Sequence, residues 1–183
     1  MIKLNISKYK VPDPAQVYVK SPLNYIGGKY KMLARLMTLF PDKIHTFVDL
    51  FAGGCDVCCN VLNADMVYAN DINNHVIDIY KAFQEIDIIS LLDYIDAKIQ
   101  EYGLSMTNKE GYLKLRDDYN KSKDKNPLDL YVLVCYAFNY QFRFNNAHEF
   151  NSSFGKDRSS FNERMRSNLI KFHGRIQNIS FQA

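Results

Sequence analysis

The sequence predicts an α/β fold built on a short parallel sheet. Three observations carry this: an apolar, β-branched run that ends in Gly53-Gly54, a second short apolar run that ends in Asn70-Asp71, and apolar residues at helical spacing between and after them. Strand, glycine turn, helix, strand and acidic residue, in that order, make half of a Rossmann-like unit.

Each element follows from local pattern. Residues 1–20 lack periodicity and contain Pro12 and Pro14, which reads as an arm or irregular lead-in. Ser21 to Tyr30 reads as a loop, after which Met32, Leu33, Leu36, Met37 and Phe40 recur on one helical face until Pro41 stops it. Lys29 therefore stands at a loop-to-helix junction. Ile44 to Leu50 predicts a buried parallel strand feeding into Phe51-Ala52-Gly53-Gly54. Val57, Val61 and Leu62 continue as a helical face, and Met66 to Ala69 forms the second strand. Val76, Ile77, Tyr80 and Phe83 mark one later helix and Leu91, Leu92, Ile95 and Ile99 another, followed by a more charged helix from Tyr112 to Tyr119. Lys121 to Pro127 is a solvated turn. Leu128 to Phe138 is apolar on almost every side and predicts a buried helix, Leu169, Ile170 and Phe172 mark the last helix, and Ile179 to Phe181 a terminal strand.

Composition narrows the class. With 183 residues and 47% hydrophobic content the chain can bury one sizeable core. Cys55, Cys58, Cys59 and Cys135 include an adjacent pair and follow no secretory leader, which points to a reduced, cytoplasmic setting. No second cysteine pair or suitably spaced histidine completes a zinc site, so these cysteines read as small packing residues. No apolar run approaches the length of a membrane span. The net charge of +3 is unevenly spread: residues 1–40 hold seven basic and one acidic side chain, residues 41–140 nine and sixteen, and residues 141–183 seven and three. Basic ends around an acidic middle suit a polyanion contacted by two parts of the fold, or are ordinary solvated faces.

The glycine turn lets a backbone approach a ligand closely. It lacks the spacing of a dinucleotide loop, and Asp56 beside it would repel a pyrophosphate, so a nucleoside without phosphates fits better. Asp71 follows Gly53 by eighteen residues at the second strand's end. A carboxylate there accepts hydrogen bonds from ribose hydroxyls, or caps the next helix; spacing alone does not choose.

Pro22-Leu23-Asn24-Tyr25-Ile26-Gly27-Gly28-Lys29, Phe47-Val48-Asp49-Leu50-Phe51-Ala52-Gly53-Gly54 and Asn70-Asp71-Ile72-Asn73 occur together in that order. Together they resemble the Dam-like, D12-class DNA adenine methyltransferases. The resemblance implies an incomplete Rossmann-like methyltransferase sheet with a helical and β-hairpin target-recognition region. It divides the chain into a cofactor-binding part over residues 1–84, a target-recognition region over 85–174 and a return strand over 175–183. It implies S-adenosylmethionine as cofactor, bound by Tyr25, Ile26, Gly27, Lys29, Asp49, Phe51, Gly53, Gly54, Asp71 and Ile72. Among these, Lys29 would pair with the methionine carboxylate, Asp71 with the ribose, and Ile72 would lie beside the adenine. Asn139 to Asn145 and Glu149 to Lys156 resemble the family's recognition hairpin, which enters the major groove of double-stranded DNA. Arg143 falls where the base-reading arginine stands, suited to guanine O6 and N7. Asn139, Asn145 and Asn151 would contact bases or phosphates, and Lys156 and Arg158 the backbone.

The chain departs from the family at Cys55, Asp56, Cys58 and Cys59, where small residues are usual, and at Ser152-Ser153, where proline is more frequent. It also contains no Asp-Pro-Pro-Tyr, the motif that localises the lone pair of the target amine; Asn126-Pro127 precedes a helix and is no substitute. The expectation is a fragment of a restriction-modification enzyme, inactive alone, or a non-catalytic DNA-binding remnant. Its first strand would be an open sheet edge, covered by self-association or by a C-terminal fragment.

Overall fold

Periodicity in the sequence becomes six helices and three strands in a computed structural model that describes residues 18–183. The expected arm lies almost wholly outside those residues; Tyr18 to Lys20 have no regular structure. In chain order the elements are α1 (Leu33–Leu36), β1 (Ile44–Asp49), β2 (Ala64–Asn70), α2 (Asn74–Glu85), α3 (Ile88–Glu101), α4 (Lys109–Lys121), α5 (Pro127–Tyr136), α6 (Glu163–Ile176) and β3 (Ile179–Gln182). Short 3-10 turns, Tyr30–Met32 and Met37–Leu39, lengthen α1 at both ends. The strands are parallel in the order β1-β2-β3, with Asp49 opposite Ala69 and Ala69 opposite Phe181.

α2 is the link between sheet and helices. Val76, Ile77 and Phe83 are fully buried on it, each contributing roughly 1.5–3 kcal/mol by leaving water. The Tyr80 ring meets Phe172 of α6 at 5.5 Å and Phe181 of β3 at 5.2 Å. Phe83 meets Tyr131 of α5 edge-on at 5.0 Å. Gln84 closes the turn from α6 into β3 by donating through Nε2 to the carbonyls of Ile176 and Ile179, at 2.6 and 2.9 Å. α5 is buried along its length as its composition predicts, and Asn126 caps it by accepting from Leu128 N at 2.9 Å with Pro127 in the first turn.

The last helix forms where Leu169, Ile170 and Phe172 mark it, with Leu169, Phe172 and Ile176 buried. Two expectations are corrected. β1 is not buried: Val48 is 50% exposed and Leu50 59%. Among the described residues β1 pairs with β2 alone, so its outer edge has no strand to shield it. No α-helix follows the glycine turn; Val57 is half-buried, Leu62 is exposed, and only a 3-10 turn forms at Cys58–Asn60.

Side chains explain the missing helix. Asn60 Nδ2 takes the Asp56 carbonyl at 2.7 Å, the acceptor that an α-helix would give to the Asn60 N–H, and that N–H turns to Val57 O instead. Cys55 holds a positive φ of 60°, outside helical geometry. Cys55 and Cys58 are paired as a disulfide, where the sequence reading has unpaired packing residues; both are nonetheless buried, as are the free Cys59 and Cys135. Asn60 also accepts from Val19 N and donates to Val19 O, each at 2.8 Å. Asp56 accepts from Ser21 N at 3.1 Å and Tyr30 N at 3.2 Å. These two buried side chains fasten the Ser21–Tyr30 loop to the end of β1.

Truncating Asn60 leaves buried backbone groups of Val19 and Asp56 without partners. Asn60→Ala should therefore cost about 3 kcal/mol, while Leu62→Ala, at an exposed position, should change stability by less than about 0.5 kcal/mol. Urea unfolding of both variants measures the contrast, and equal midpoints would remove Asn60 from this role.

Candidate functional site

The glycine turn is held from two sides. Gly53 N donates to Asp71 Oδ2 at 2.8 Å, and Tyr80 Oη donates to Gly53 O at 2.9 Å. Gly53 has φ 47°, and a Cβ there would lie 3.0 Å from Tyr25 Cδ1, so a side chain would meet both backbone strain and the Tyr25 ring. Asn73 Nδ2 donates to Tyr25 Oη at 3.3 Å. The ring is thus wedged between the turn and the start of α2.

A cleft of about 450 Å³ opens at this point. Of the ten residues expected to bind a cofactor, nine line it: Tyr25, Ile26, Gly27, Lys29, Asp49, Phe51, Gly53, Gly54 and Asp71. Ile72 does not, and is 95% exposed beside Asp71. Sequence reading left out Met32, Leu36 and Phe40, whose spacing of four residues along the helical segment was the available signal. Asp71 is buried and also accepts from Asn73 N through Oδ1 at 3.0 Å, a bond to the residue ahead of α2 and not to an N–H within the helix. Each of its oxygens still has a free lone pair.

Three carboxylates, Asp49, Asp56 and Asp71, face one cation, Lys29, whose Nζ donates to the Gly27 carbonyl. Burial pushes Asp49 above the usual carboxylate range, opposed by the N–H groups of Phe51 and Cys58, and burial raises Asp56 against the N–H groups of Ser21 and Tyr30. Such a lining disfavours phosphates and favours a cationic nucleoside.

The expected hairpin takes the form of two isolated antiparallel bridges, Ala137 to Phe154 and Phe144 to Phe150, rather than a continuous ladder. Positive φ at Asn139, Tyr140 and His148 interrupts regular pairing. Asn145 accepts from Ala147 N and Glu149 N at 2.9 Å each and donates to Glu149 Oε2 at 2.9 Å, which shapes the tip. Asn120 of α4 anchors the return limb through both backbone groups of Phe150 at 2.9 Å. Phe142 contacts Tyr25 at 6.4 Å and Phe144 at 5.6 Å, and Phe144 stacks on His75 at 4.1 Å and 6°. Burial lowers the His75 pKa, favouring the neutral ring. Through these rings the hairpin rests on the residue that walls the cleft.

The six residues expected to touch DNA are all exposed or half-buried. Arg143 has only a long contact to Gln141 Oε1, at 3.5 Å, and its carbonyl accepts from Asn151 N at 3.0 Å. Arg158 donates to Asn139 Oδ1 at 3.4 Å and lies 4.9 Å from the Phe138 ring. Asn145 is committed to its turn. Lys156 stands apart, across the return limb. Among the described residues no cluster of side chains has the make-up of a metal site.

The sequence compares closely with known proteins. It is 47% identical over 170 residues to the Type II methyltransferase M.FokI of Planomicrobium okeanokoites, covering 93% of this chain and 25% of that protein. It is 48% identical over 162 residues to the Modification methylase StsI of Streptococcus sanguinis, covering 88% and 24%. It is 29% identical over 163 residues to the Modification methylase LlaI of Lactococcus lactis subsp. lactis, covering 89% and 26%. The chain spans about a quarter of the length of these relatives. A family model, D12 class N6 adenine-specific DNA methyltransferase, matches residues 25–183. The chain belongs to that family.

Proposed function

We propose that these residues form the cofactor-binding and target-reading part of a site-specific DNA adenine-N6 methyltransferase of a restriction-modification system, using S-adenosylmethionine. The observation that carries this reading is the cleft, where Tyr25, Gly53 and Asp71 meet from three separate stretches and Tyr25 also touches the hairpin. S-adenosylmethionine supplies, when bound, a methyl group activated on a sulfonium. The lining fits that group: carboxylates for its cationic centres, and Lys29 for its carboxylate. Asp71 has the spare lone pairs to accept ribose hydroxyls, and exposed Ile72 is free to cover an adenine.

On the hairpin, Arg143 has its guanidinium nearly uncommitted and is assigned to a guanine edge. Asn139, Asn151, Lys156 and Arg158 take phosphates or neighbouring bases, with Asn145 shaping the tip that presents them. The sheet is the first part of a Rossmann-like methyltransferase sheet, with residues 85–174 as target-recognition region and 175–183 as return strand. Residues 1–183 contain no Asp-Pro-Pro-Tyr, so none of them is assigned as the acceptor for the target amine. Among the described residues no helix is long and apolar enough to cross a membrane, and a cytoplasmic setting suits an enzyme acting on DNA.

Three expected outcomes follow from the site. Asp71→Asn, which keeps the side chain's size, should weaken S-adenosylhomocysteine binding at least about tenfold in calorimetry with the fold intact by circular dichroism; unchanged affinity would contradict the ribose role. Arg143→Ala should cost about 1–3 kcal/mol of discrimination at one guanine position, and an equal loss on every sequence would make Arg143 a phosphate contact. Residues 1–183 alone should transfer no labelled methyl group to duplex DNA and should self-associate, or require a partner, in light scattering. A monodisperse monomer with strongly protected amides along Thr46 to Leu50 would refute the open edge.

A further inference from the structure

A second cleft, of about 640 Å³, lies between α4 and the return limb of the hairpin, and Lys109, Arg116 and Lys156 line it with Thr107 and Ser153. No carboxylate borders it. Neither Lys109 nor Lys156 has an ion-pair partner among the described residues, and Arg116 has only a 3.5 Å contact to the Ser152 carbonyl. Three uncompensated cations around one concave surface repel each other, and the arrangement is relieved by an anion. The neighbouring cleft makes the contrast: it shares Arg116, which forms no ion pair among the described residues, but it sets two carboxylates, Asp117 and Glu149, against two cations, Arg116 and Lys121.

Placement fixes what the anion is. Along the return limb Asn151 and Ser153 are exposed while Ser152 is buried, the alternation of an extended segment. Asn151 N bonds the carbonyl of Arg143, so the exposed face that begins beside the base-reading side chain runs about 7 Å further to Ser153 in the cationic cleft. That step is about two nucleotides of a single DNA strand, at about 3.4 Å each. We propose that Lys109 and Arg116 of α4, with Lys156, hold backbone phosphates of the DNA strand flanking the base read by Arg143. This rests on the proposed function and extends it to α4, which the sequence reading treated only as a charged helix. A phosphate contact here fixes the register of the hairpin without reading sequence.

The test measures DNA affinity of residues 1–183 by fluorescence anisotropy across a salt series. Lys109→Ala should lower the slope of log affinity against log salt by about 0.9, equally for cognate and unrelated duplexes, and Lys109→Glu should lower affinity further. Arg116→Ala should act likewise and Arg116→Lys should restore the slope. Lys123→Ala, in the solvated turn outside both clefts, should leave it unchanged. The Lys109 side chain is exposed and forms no ion pair among the described residues, and its backbone bond to Thr107 O survives truncation, so the change does not endanger the fold. If the wild-type chain binds DNA with its guanine preference but Lys109→Ala matches Lys123→Ala, this assignment alone fails. If the wild-type chain binds no DNA, the functional reading fails and this assignment with it.

Discussion

Both backbone groups of Gly53 are spoken for by side chains from elsewhere: its N–H by Asp71 at the end of β2, and its carbonyl by Tyr80 in α2. Much of the molecule depends on that pair of bonds. They tie the end of β1 to the end of β2 and to the helix whose ring also reaches α6 and β3. A bond to a buried carboxylate contributes roughly 1.5–3 kcal/mol, and leaving either group of Gly53 unmet would cost a similar amount. The turn is therefore fixed before any ligand arrives, which is what a site built on backbone approach requires.

From that point order spreads outward through packing rather than through the backbone. Tyr25 lies against Gly53 and Gly54 and is steadied by Asn73, and Asp56 and Asn60 hold its loop in place. Its ring then meets Phe142, which meets Phe144, which stacks on His75 one residue into α2. The hairpin has few ladder bonds of its own; this aromatic chain replaces them, together with Asn120 and the Tyr112 hydroxyl, which donates to the Ser152 carbonyl at 2.8 Å. Under the proposed function, cofactor and target strand are held by two sides of one side chain.

Much of this was legible in the sequence, and for identifiable reasons. Val76, Ile77, Tyr80 and Phe83 repeat at helical spacing and are all fully buried, because a helix packed on both sheet and helices must hide that stripe wherever the chain goes next. Tyr25, Gly53 and Asp71 were grouped by motif, and the cleft unites them. The misreadings occurred where the outcome depended on partners distant in sequence. Val57 and Leu62 show a helical period, but nothing local reveals that Asn60 bonds Val19, forty-one residues away, and takes the carbonyl a helix would use. β1 has the composition of a buried strand, yet burial is decided by what lies beside it. The cysteine pairing was likewise missed, since the lack of a secretory leader and of further metal ligands favoured small packing residues over a disulfide. Asparagine suits tight turns as well as bases, and Asn145 accepts from Ala147 N and Glu149 N at the hairpin tip, a role its residue type alone did not single out.

A net charge of +3 conceals a division that matters more than its sum. The cleft under Tyr25 has three carboxylates to one lysine, and the cleft between α4 and the return limb has Lys109, Arg116 and Lys156 with no carboxylate in its lining. If both had the same positive sign, phosphates would compete for the cofactor's place, and in a water-depleted cleft that competition would be strong. Opposite signs sort the two ligands. Under the proposed function, a sulfonium would be drawn to the acidic side and a phosphodiester disfavoured there, while the same phosphodiester would be retained in the cationic cleft beside α4. Burial chiefly holds Asp49 above the usual carboxylate range, with Asp71 adding to the rise and Lys29 opposing it. Under the proposed function, a bound cation near Asp49 would act in the same direction as Lys29 and favour the ionised carboxylate.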